Sequence, residues 1–109
     1  MRTIINLTPH VVRLNDGTEF APSGTVARVT AVHEEQDRYE GLRIFTVLYG
    51  KVEGLPPESD APDAPIYIVS GLVLQAINGR HDVVAPATGH PSVVRREGQI
   101  HSVPGFVQG

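Results

Sequence analysis

Apolar and polar positions divide the chain into short segments separated by turn residues, a pattern typical of β-strands. Asn15-Asp16-Gly17 predicts a tight hairpin turn, because these residues tolerate positive φ angles. A second hairpin is predicted around Glu97-Gly98. The predicted strands cover residues 2–7, 11–14, 18–20, 25–33, 42–52, 66–69, 82–85, 92–96 and 99–103. The pattern therefore indicates a β-rich fold.

The segment 42–52 is the strongest strand of the chain. One face carries, in order, Leu42, Ile44, Thr46 and Leu48, and the other carries Arg43, Phe45, Val47 and Tyr49. Because both faces are largely apolar, we expect both to be covered. A chain this short has few elements to cover them, so packing by a helix or contact with a second copy is expected. The polar segment 34–41 is predicted to be an exposed hairpin tip or loop.

One segment has the signals of a helix. Ser70 is a favoured N-cap residue, an apolar run follows it, and Gly79 ends the run as a C-cap. The sequence therefore predicts a helix at about 71–78. Residues 54–65 are rich in proline and acidic side chains and are predicted to form a loop. The predicted fold class is α+β, mainly an antiparallel β-sheet with one short helix, in a single domain over residues 1–109.

Composition and charge narrow the function classes. The chain has 109 residues, a net charge of −3, 40% hydrophobic residues and 19% charged residues, which is a globular composition. A negative chain is not expected to bind nucleic acid polymers electrostatically. With no cysteine, neither a disulfide nor a thiolate metal site can form, and an intracellular setting is favoured. No apolar run reaches the roughly 20 residues that span a membrane.

The charge is uneven along the chain. Residues 31–63 hold three basic and eight acidic side chains, a sum of −5, whereas residues 1–30 and 64–109 each sum to +1. Arginines outside the acidic segment can therefore hold a small anion locally. Eight of the nine basic residues are Arg, the better bidentate partner for phosphate. A genome with Arg-biased codons explains the same excess.

No catalytic motif is present in the sequence. The five histidines lack the spacing of a metal site, and we predict neither a metal nor a cofactor. Ser70 lacks the flanking glycines of a nucleophile elbow and is interpreted as the helix N-cap. Glycines do not form a phosphate-binding loop. The sequence therefore predicts a binding protein and not an enzyme.

Several residues have the chemistry of a nucleotide pocket. Arg43 shares a strand face with Phe45 and Tyr49, Asn78 ends the predicted helix, and Arg95-Arg96 open the terminal hairpin. Arginine binds phosphate, an amide reads a base edge and an aromatic ring stacks on a base. Each also has a structural explanation: Arg43 can cover Tyr49 or pair with a carboxylate, and Asn78 can simply end the helix.

Four motifs, in this order along nearly the whole chain, resemble those of one protein family. They are Asn6-Leu7-Thr8-Pro9-His10, the segment 22–28 (Pro-Ser-Gly-Thr-Val-Ala-Arg), Tyr67-Ile68-Val69-Ser70, and Val94-Arg95 before Glu97-Gly98. The sequence is similar to a family of small phage proteins whose best-understood branch is the anti-Thoeris sponge.

The resemblance implies a non-catalytic sponge. Such proteins bind and sequester a cyclic nucleotide immune signal, a cyclic ADP-ribose isomer, and thereby block host anti-phage defence; some relatives also hold cyclic dinucleotides. It implies a homodimer or homohexamer in the cytoplasm of the infected bacterial host. By position, Asn78 and Arg95 match pocket residues, with Arg95 supplied by a neighbouring protomer. Tyr67 or Ile68 falls at the stacking position, and Arg43 matches a basic position linked to the second ligand class.

The chain departs from the family pattern at two places. Arg96 stands where an acidic residue is usual, and we include it in the expected pocket; the C-terminal residues 101–106 also differ. Two alternatives remain at this point. One is a nucleotide-acting enzyme that uses His81 or His101 beside the pocket arginines. The other is a phage or host interaction module that binds protein through its apolar strand face.

Overall fold

The fold is built from ten short or medium strands and a helix in the residues that the structure describes. The computed structural model describes residues 2–77 and 79–108. Its strands are β1 (Ile4–Asn6), β2 (Val12–Arg13), β3 (Glu19–Phe20), β4 (Arg28–Tyr39), β5 (Leu42–Glu53), β6 (Ile66–Ile68), β7 (Val83–Pro86), β8 (Val94–Arg96), β9 (Gln99–Ser102) and β10 (Phe106–Gln108). The helix is α1 (Gly71–Ala76). The α+β class and the β-rich character are confirmed.

The main sheet has the strand order β1-β6-β7-β10 and is called the core sheet below. Its β1–β6 and β6–β7 pairs are parallel, and only β7–β10 is antiparallel. Four of the six strand pairings in the described residues are antiparallel, as predicted for most of the sheet structure, but two of the three pairs in the core sheet are parallel. Helix α1 accounts for the β6–β7 pair, because a helical crossover brings the two strands side by side in parallel.

Helix α1 begins as predicted and ends earlier. The Ser70 hydroxyl accepts a hydrogen bond from the Val73 backbone N–H at 3.3 Å, which confirms the N-cap. The last helical residue is Ala76, and Ile77 has the extended angles φ −110° and ψ 137°. The expected end at 78 with Gly79 as the cap is therefore wrong. Ile77 leaves the helix and packs against the core. Asn78 lies outside the described residues.

The hydrophobic core lies where α1 meets the core sheet. Its buried members are Leu7, Ala27, Tyr67, Val69, Val73, Leu74, Val83 and Ala85. An ion pair closes one end of this core: the Arg80 guanidinium donates to both Asp82 carboxylate oxygens, at 2.9 and 2.7 Å. Arg80 also donates to the Pro56 carbonyl at 2.9 Å, which ties the proline-rich loop to the start of β7.

Strands β4 and β5 form a long hairpin, the arm (residues 28–53). Its turn lies at Glu40 and Gly41, with φ of 53° and 82°. Segment 34–41 is the exposed outer end of this hairpin, one of the two predicted alternatives, and the other, a loop, is wrong for Glu34–Tyr39, which continue β4 because β5 offers twelve residues to pair with. The chain has a radius of gyration of 16.2 Å and a longest extent of 53 Å. A compact chain of this length would have a radius of about 13 Å.

Two small hairpins complete the fold. They are β2–β3, which turns at residues 15–17 as predicted, and β8–β9, which turns at Glu97 and Gly98 with φ of 54° and 79°. Strand β10 is not predicted by the sequence and pairs with β7 at the edge of the core sheet. No helix in the described residues is long and apolar enough to cross a membrane.

Candidate functional site

A cleft of about 370 Å³ lies between the loop after β1, the start of α1 and strand β9. Its basic side chains are His10, Arg13 and His101. Hydroxyl groups come from Thr8, Ser70, Thr88 and Ser102, and the apolar lining comes from Val11, Val12, Pro86, Ile100 and Val103. An apolar cleft of this volume with a few polar groups is typical of a small-molecule site.

The buried Asn6 holds one wall of this cleft. Its side-chain amide donates to the His10 carbonyl at 2.8 Å and to the Phe20 carbonyl at 2.9 Å. Its oxygen accepts from the Thr8 backbone N–H at 2.9 Å and lies 2.7 Å from the Thr8 hydroxyl. Asn6 is 2% exposed, so each of these bonds is shielded from water. The Asn-Leu-Thr-Pro-His motif therefore folds as a fixed loop that presents Thr8 and His10 to the cleft.

The opposite wall is the terminal hairpin β8–β9, which is docked on the β2–β3 hairpin. The Ser102 hydroxyl donates to the Asn15 side-chain oxygen at 2.7 Å, and the Asn15 amide donates to the Ser92 carbonyl at 2.9 Å. The Val103 N–H donates to the Arg13 carbonyl at 3.0 Å. These bonds join residues 77 to 90 positions apart in the chain, and His101 and Arg13 line the same cleft.

A second cleft of about 480 Å³ adjoins the first and shares Arg13, His101 and Ser102 with it. It adds Arg96 from β8 and Glu19 from β3. Arg13 and Glu19 form an ion pair at 2.8 Å, but both side chains are about half exposed. An exposed pair of this kind contributes about 0–1 kcal/mol. Arg13 can therefore exchange this partner for a stronger anion at little cost.

The electrostatics of the first cleft favour an anion. Its described lining contains one arginine and two histidines but no aspartate or glutamate. Arginine gives charge-assisted, bidentate hydrogen bonds to phosphate, and imidazole and hydroxyl groups add further donors. The apolar side chains offer a surface for a base or sugar. Nucleotide-like ligands combine these same two parts.

Ser70 lines the same cleft as His10 and His101. A serine beside a histidine can be a nucleophile if the histidine accepts a hydrogen bond from its hydroxyl. Its hydroxyl is engaged as the α1 N-cap. Within residues 2–77 and 79–108, no hydrogen bond joins it to His10 or His101. A nucleophile needs such a bond to a base. In this structure the Ser70 hydroxyl serves as the cap of α1.

The predicted pocket residues are spread over three parts of the molecule. Arg95 and Arg96 are neighbours on the exposed strand β8, and only Arg96 lines a cleft. Tyr67 and Ile68 lie on β6 in the core sheet, with exposures of 8% and 0%. Their side chains therefore pack inside this chain. Tyr67 belongs to the core cluster itself.

Arg43 lies on the arm, apart from both clefts. It donates to the Glu35 carboxylate at 3.2 and 3.0 Å and covers the Phe45 ring at 4.9 Å. The prediction that Arg43 pairs with a carboxylate is confirmed, but the ring that it covers is Phe45 and not Tyr49. Asn78 falls outside the described residues, so the structure gives no position for it.

Sequence reasoning did not select Thr8, His10, Arg13 and Thr88 for a site. The signal that was present is the Asn6–His10 motif, which carried the family resemblance but was interpreted as a strand break and turn. Arg13 follows an ordinary apolar strand residue and has no motif of its own.

No family model, curated protein or solved structure matches the chain.

Proposed function

We propose that the protein is a non-catalytic binding protein that sequesters a cyclic nucleotide signal. The ligand class is a cyclic ADP-ribose isomer, with cyclic dinucleotides as a second class. One observation carries the proposal: the first cleft combines Arg13, His10 and His101 with an apolar lining and has no carboxylate among its described residues. A doubly charged phosphate ligand finds donors there, and it displaces the exposed Glu19 carboxylate, which lines the second cleft, from Arg13.

The proposed roles follow from position. Arg13 lies at the junction of the two clefts and binds a phosphate group. Arg96 approaches the same ligand from the second cleft. His10 contacts it from the loop that Asn6 fixes. Because this loop is already hydrogen bonded without ligand, binding requires little ordering of the backbone, which favours tight sequestration.

The assembly and setting remain part of the proposal. The family resemblance implies a homodimer or homohexamer in the cytoplasm of an infected bacterium, with Arg95 reaching a neighbouring protomer's pocket. The exposed position of β8 is compatible with that role. Blocking host defence then requires only that the bound signal is kept from its receptor.

The test is a capture-and-release experiment with cyclic ADP-ribose isomers. The protein is incubated with ligand, freed of unbound ligand, denatured by heat, and the supernatant is assayed chromatographically. We expect intact ligand to be recovered. Absence of ligand from the washed protein would overturn the proposal.

A second candidate function is a nucleotide-acting enzyme. The observation in its favour is that His101 lines both clefts beside Arg13 and Arg96. The same experiment separates the two functions, because an enzyme releases a cleaved product. Replacement of His101 by Ala would abolish that cleavage, whereas His81, which lines neither cleft in the described part of the chain, serves as the control.

A further inference from the structure

The arm has two faces of different character. Residues that pair across β4 and β5 share a face, and the register therefore defines each face. Face A consists of Val32, Glu34, Asp37, Tyr39, Leu42, Ile44, Thr46 and Leu48. Its five large apolar side chains are all exposed, from 39% for Ile44 to 66% for Leu42. Several large apolar side chains exposed on one face are typical of an interaction site.

Face B is partly covered by the chain itself. At the base of the arm, Val29 and Val52 pack against the core, and the Tyr49 hydroxyl lies 3.2 Å from the Gln75 side chain on α1. Further out, Phe45 lies under the Arg43 guanidinium and makes an edge contact with His33 at 6.3 Å between ring centres. Face A has no such cover over any of its residues, all of which the structure describes.

The two faces carry opposite charge. Glu34 and Asp37 lie on face A, and none of the eight residues that define face A is basic. On face B, Arg38 and Arg43 share the single carboxylate of Glu35, at 3.1 and 3.0 Å. Two cations and one anion leave face B with a surplus of positive charge. Each face therefore presents apolar side chains together with charge that the other face can neutralise.

We propose that face A of one copy packs against face B of a second copy of this chain. Pairing of face A with itself would oppose carboxylates, whereas pairing with face B places them against arginines. Because the two faces differ, the contact is heterologous, and it closes into a ring or continues as an open chain of copies. It also stabilises the arm, since a two-stranded hairpin alone is marginal in water.

The inference rests on the proposal that copies of the chain associate, and it names the surface that they use. It does not involve either cleft, so association is measured without ligand. Failure of ligand binding leaves the arm contact intact, and failure of the arm contact leaves the ligand test intact.

The experiment uses two charge-reversal variants of the full chain. Glu34→Arg/Asp37→Arg makes face A basic, and Arg38→Glu/Arg43→Glu makes face B acidic. Light scattering after size-exclusion chromatography gives the mass of each variant alone and of their equimolar mixture. We expect the wild type to associate, each variant alone to be monomeric, and the mixture to associate again, because contacts between the two variants join opposite charges. Asp60→Arg/Asp63→Arg, in the loop outside the arm, is the matched control and should associate normally.

Each remaining outcome would overturn the inference. These are a monomeric wild type, association of either variant alone, and a mixture of folded variants that stays monomeric. Leu42→Ser/Leu48→Ser tests the same face without a change of charge. Both side chains are exposed, so the fold should persist while association is lost. A wild-type mass for this variant would contradict the proposal even if a charge variant did not fold.

Discussion

The core sheet and the arm are both built from β-branched, aliphatic and aromatic residues, yet their surroundings are opposite. On the core sheet, Ile68, Val69 and Val83 have no measurable exposure. On the arm, only Val52 of the twelve residues of β5 is not exposed. Similar sequence patterns thus lead to a buried sheet in one place and an uncovered one in the other. An apolar face shows that cover is needed and does not show which chain provides it.

The polar groups differ between these regions in the same way. In and beside the core sheet, Asn6 and Asp82 are buried and fully engaged in hydrogen bonds. On the arm, the pairs of Glu35 with Arg38 and Arg43 are exposed and contribute little to stability. The cleft loop is held by the first kind of bond, so the cleft is fixed within this chain, whereas the arm is the part that the proposed contact between copies would stabilise.

The largest expected effect is a difference in the free energy of unfolding between substitutions in the core sheet and on the arm. Ile68→Ala removes a fully buried side chain and should lower the free energy of unfolding by about 2–5 kcal/mol. Leu42→Ala on the exposed arm should change it by less than about 0.5 kcal/mol in the monomer. Urea unfolding at low protein concentration measures both. Equal losses would mean that the arm is packed in the isolated chain.

A somewhat smaller effect is expected at the ion pair of the core sheet. Hydrogen bonds from Arg80 lower the pKa of Asp82 from its ordinary value. Asp82→Asn leaves the shielded guanidinium without its carboxylate and should cost about 3 kcal/mol near neutral pH. The pair stabilises the folded chain above the ordinary carboxyl pKa, and this contribution is lost as pH falls through the lowered value.

Unfolding of the wild type and Asp82→Asn should therefore converge on acidification. Asp16→Asn is the control, because that exposed carboxyl also has a lowered pKa, caused by hydrogen bonds from Thr18. Its effect should be smaller at every pH. A constant gap between wild type and Asp82→Asn from neutral to acidic pH would show that the ion pair is not the source of the stability.

The two ends of the arm provide the third and smallest comparison. Gly41 at the tip has φ of +82° with open space around it, so Gly41→Ala should cost about 1–2 kcal/mol from backbone strain alone. Gly54, just past the base, has φ of +80°, and an added Cβ would lie 2.5 Å from the Val26 carbonyl oxygen. Gly54→Ala should therefore cost more than Gly41→Ala in thermal unfolding. The reverse order would place the constraint at the tip.

Local signals in the sequence were sufficient for the turns and for most strands. The Asn15-Asp16-Gly17 and Glu97-Gly98 turns and the Ser70 cap depend on neighbours within a few residues, and all three are present. The parallel β1–β6 pairing joins residues 62 positions apart, and no local pattern encodes it. The sequence left the end of β4 open between a hairpin tip and a loop, because its polar residues have no strand pattern of their own and are held by pairing with β5.

The candidate site was less predictable from the sequence, because its residues are distant from one another in the chain. Its walls come from the loop after β1, the start of α1 and β9, which only the fold brings together. Arg96 was selected from the sequence and lines the second cleft, whereas Tyr67 and Ile68 belong to the core of this chain. Residue type predicted a phosphate-binding arginine, but position in the fold decided which arginine faces a cleft.

The most direct test of the account is a calorimetric titration of a cyclic ADP-ribose isomer into the wild type, Arg13→Ala and Arg28→Ala. Arg28 begins the arm and lines neither cleft among the described residues, so it is the matched control. A hydrogen bond to a charged group is worth about 1.5–3 kcal/mol, which is roughly a tenfold to hundredfold change in affinity. We predict that loss for Arg13→Ala and unchanged binding for Arg28→Ala. Equal affinity of Arg13→Ala and the wild type, or no binding by the wild type, would contradict the account.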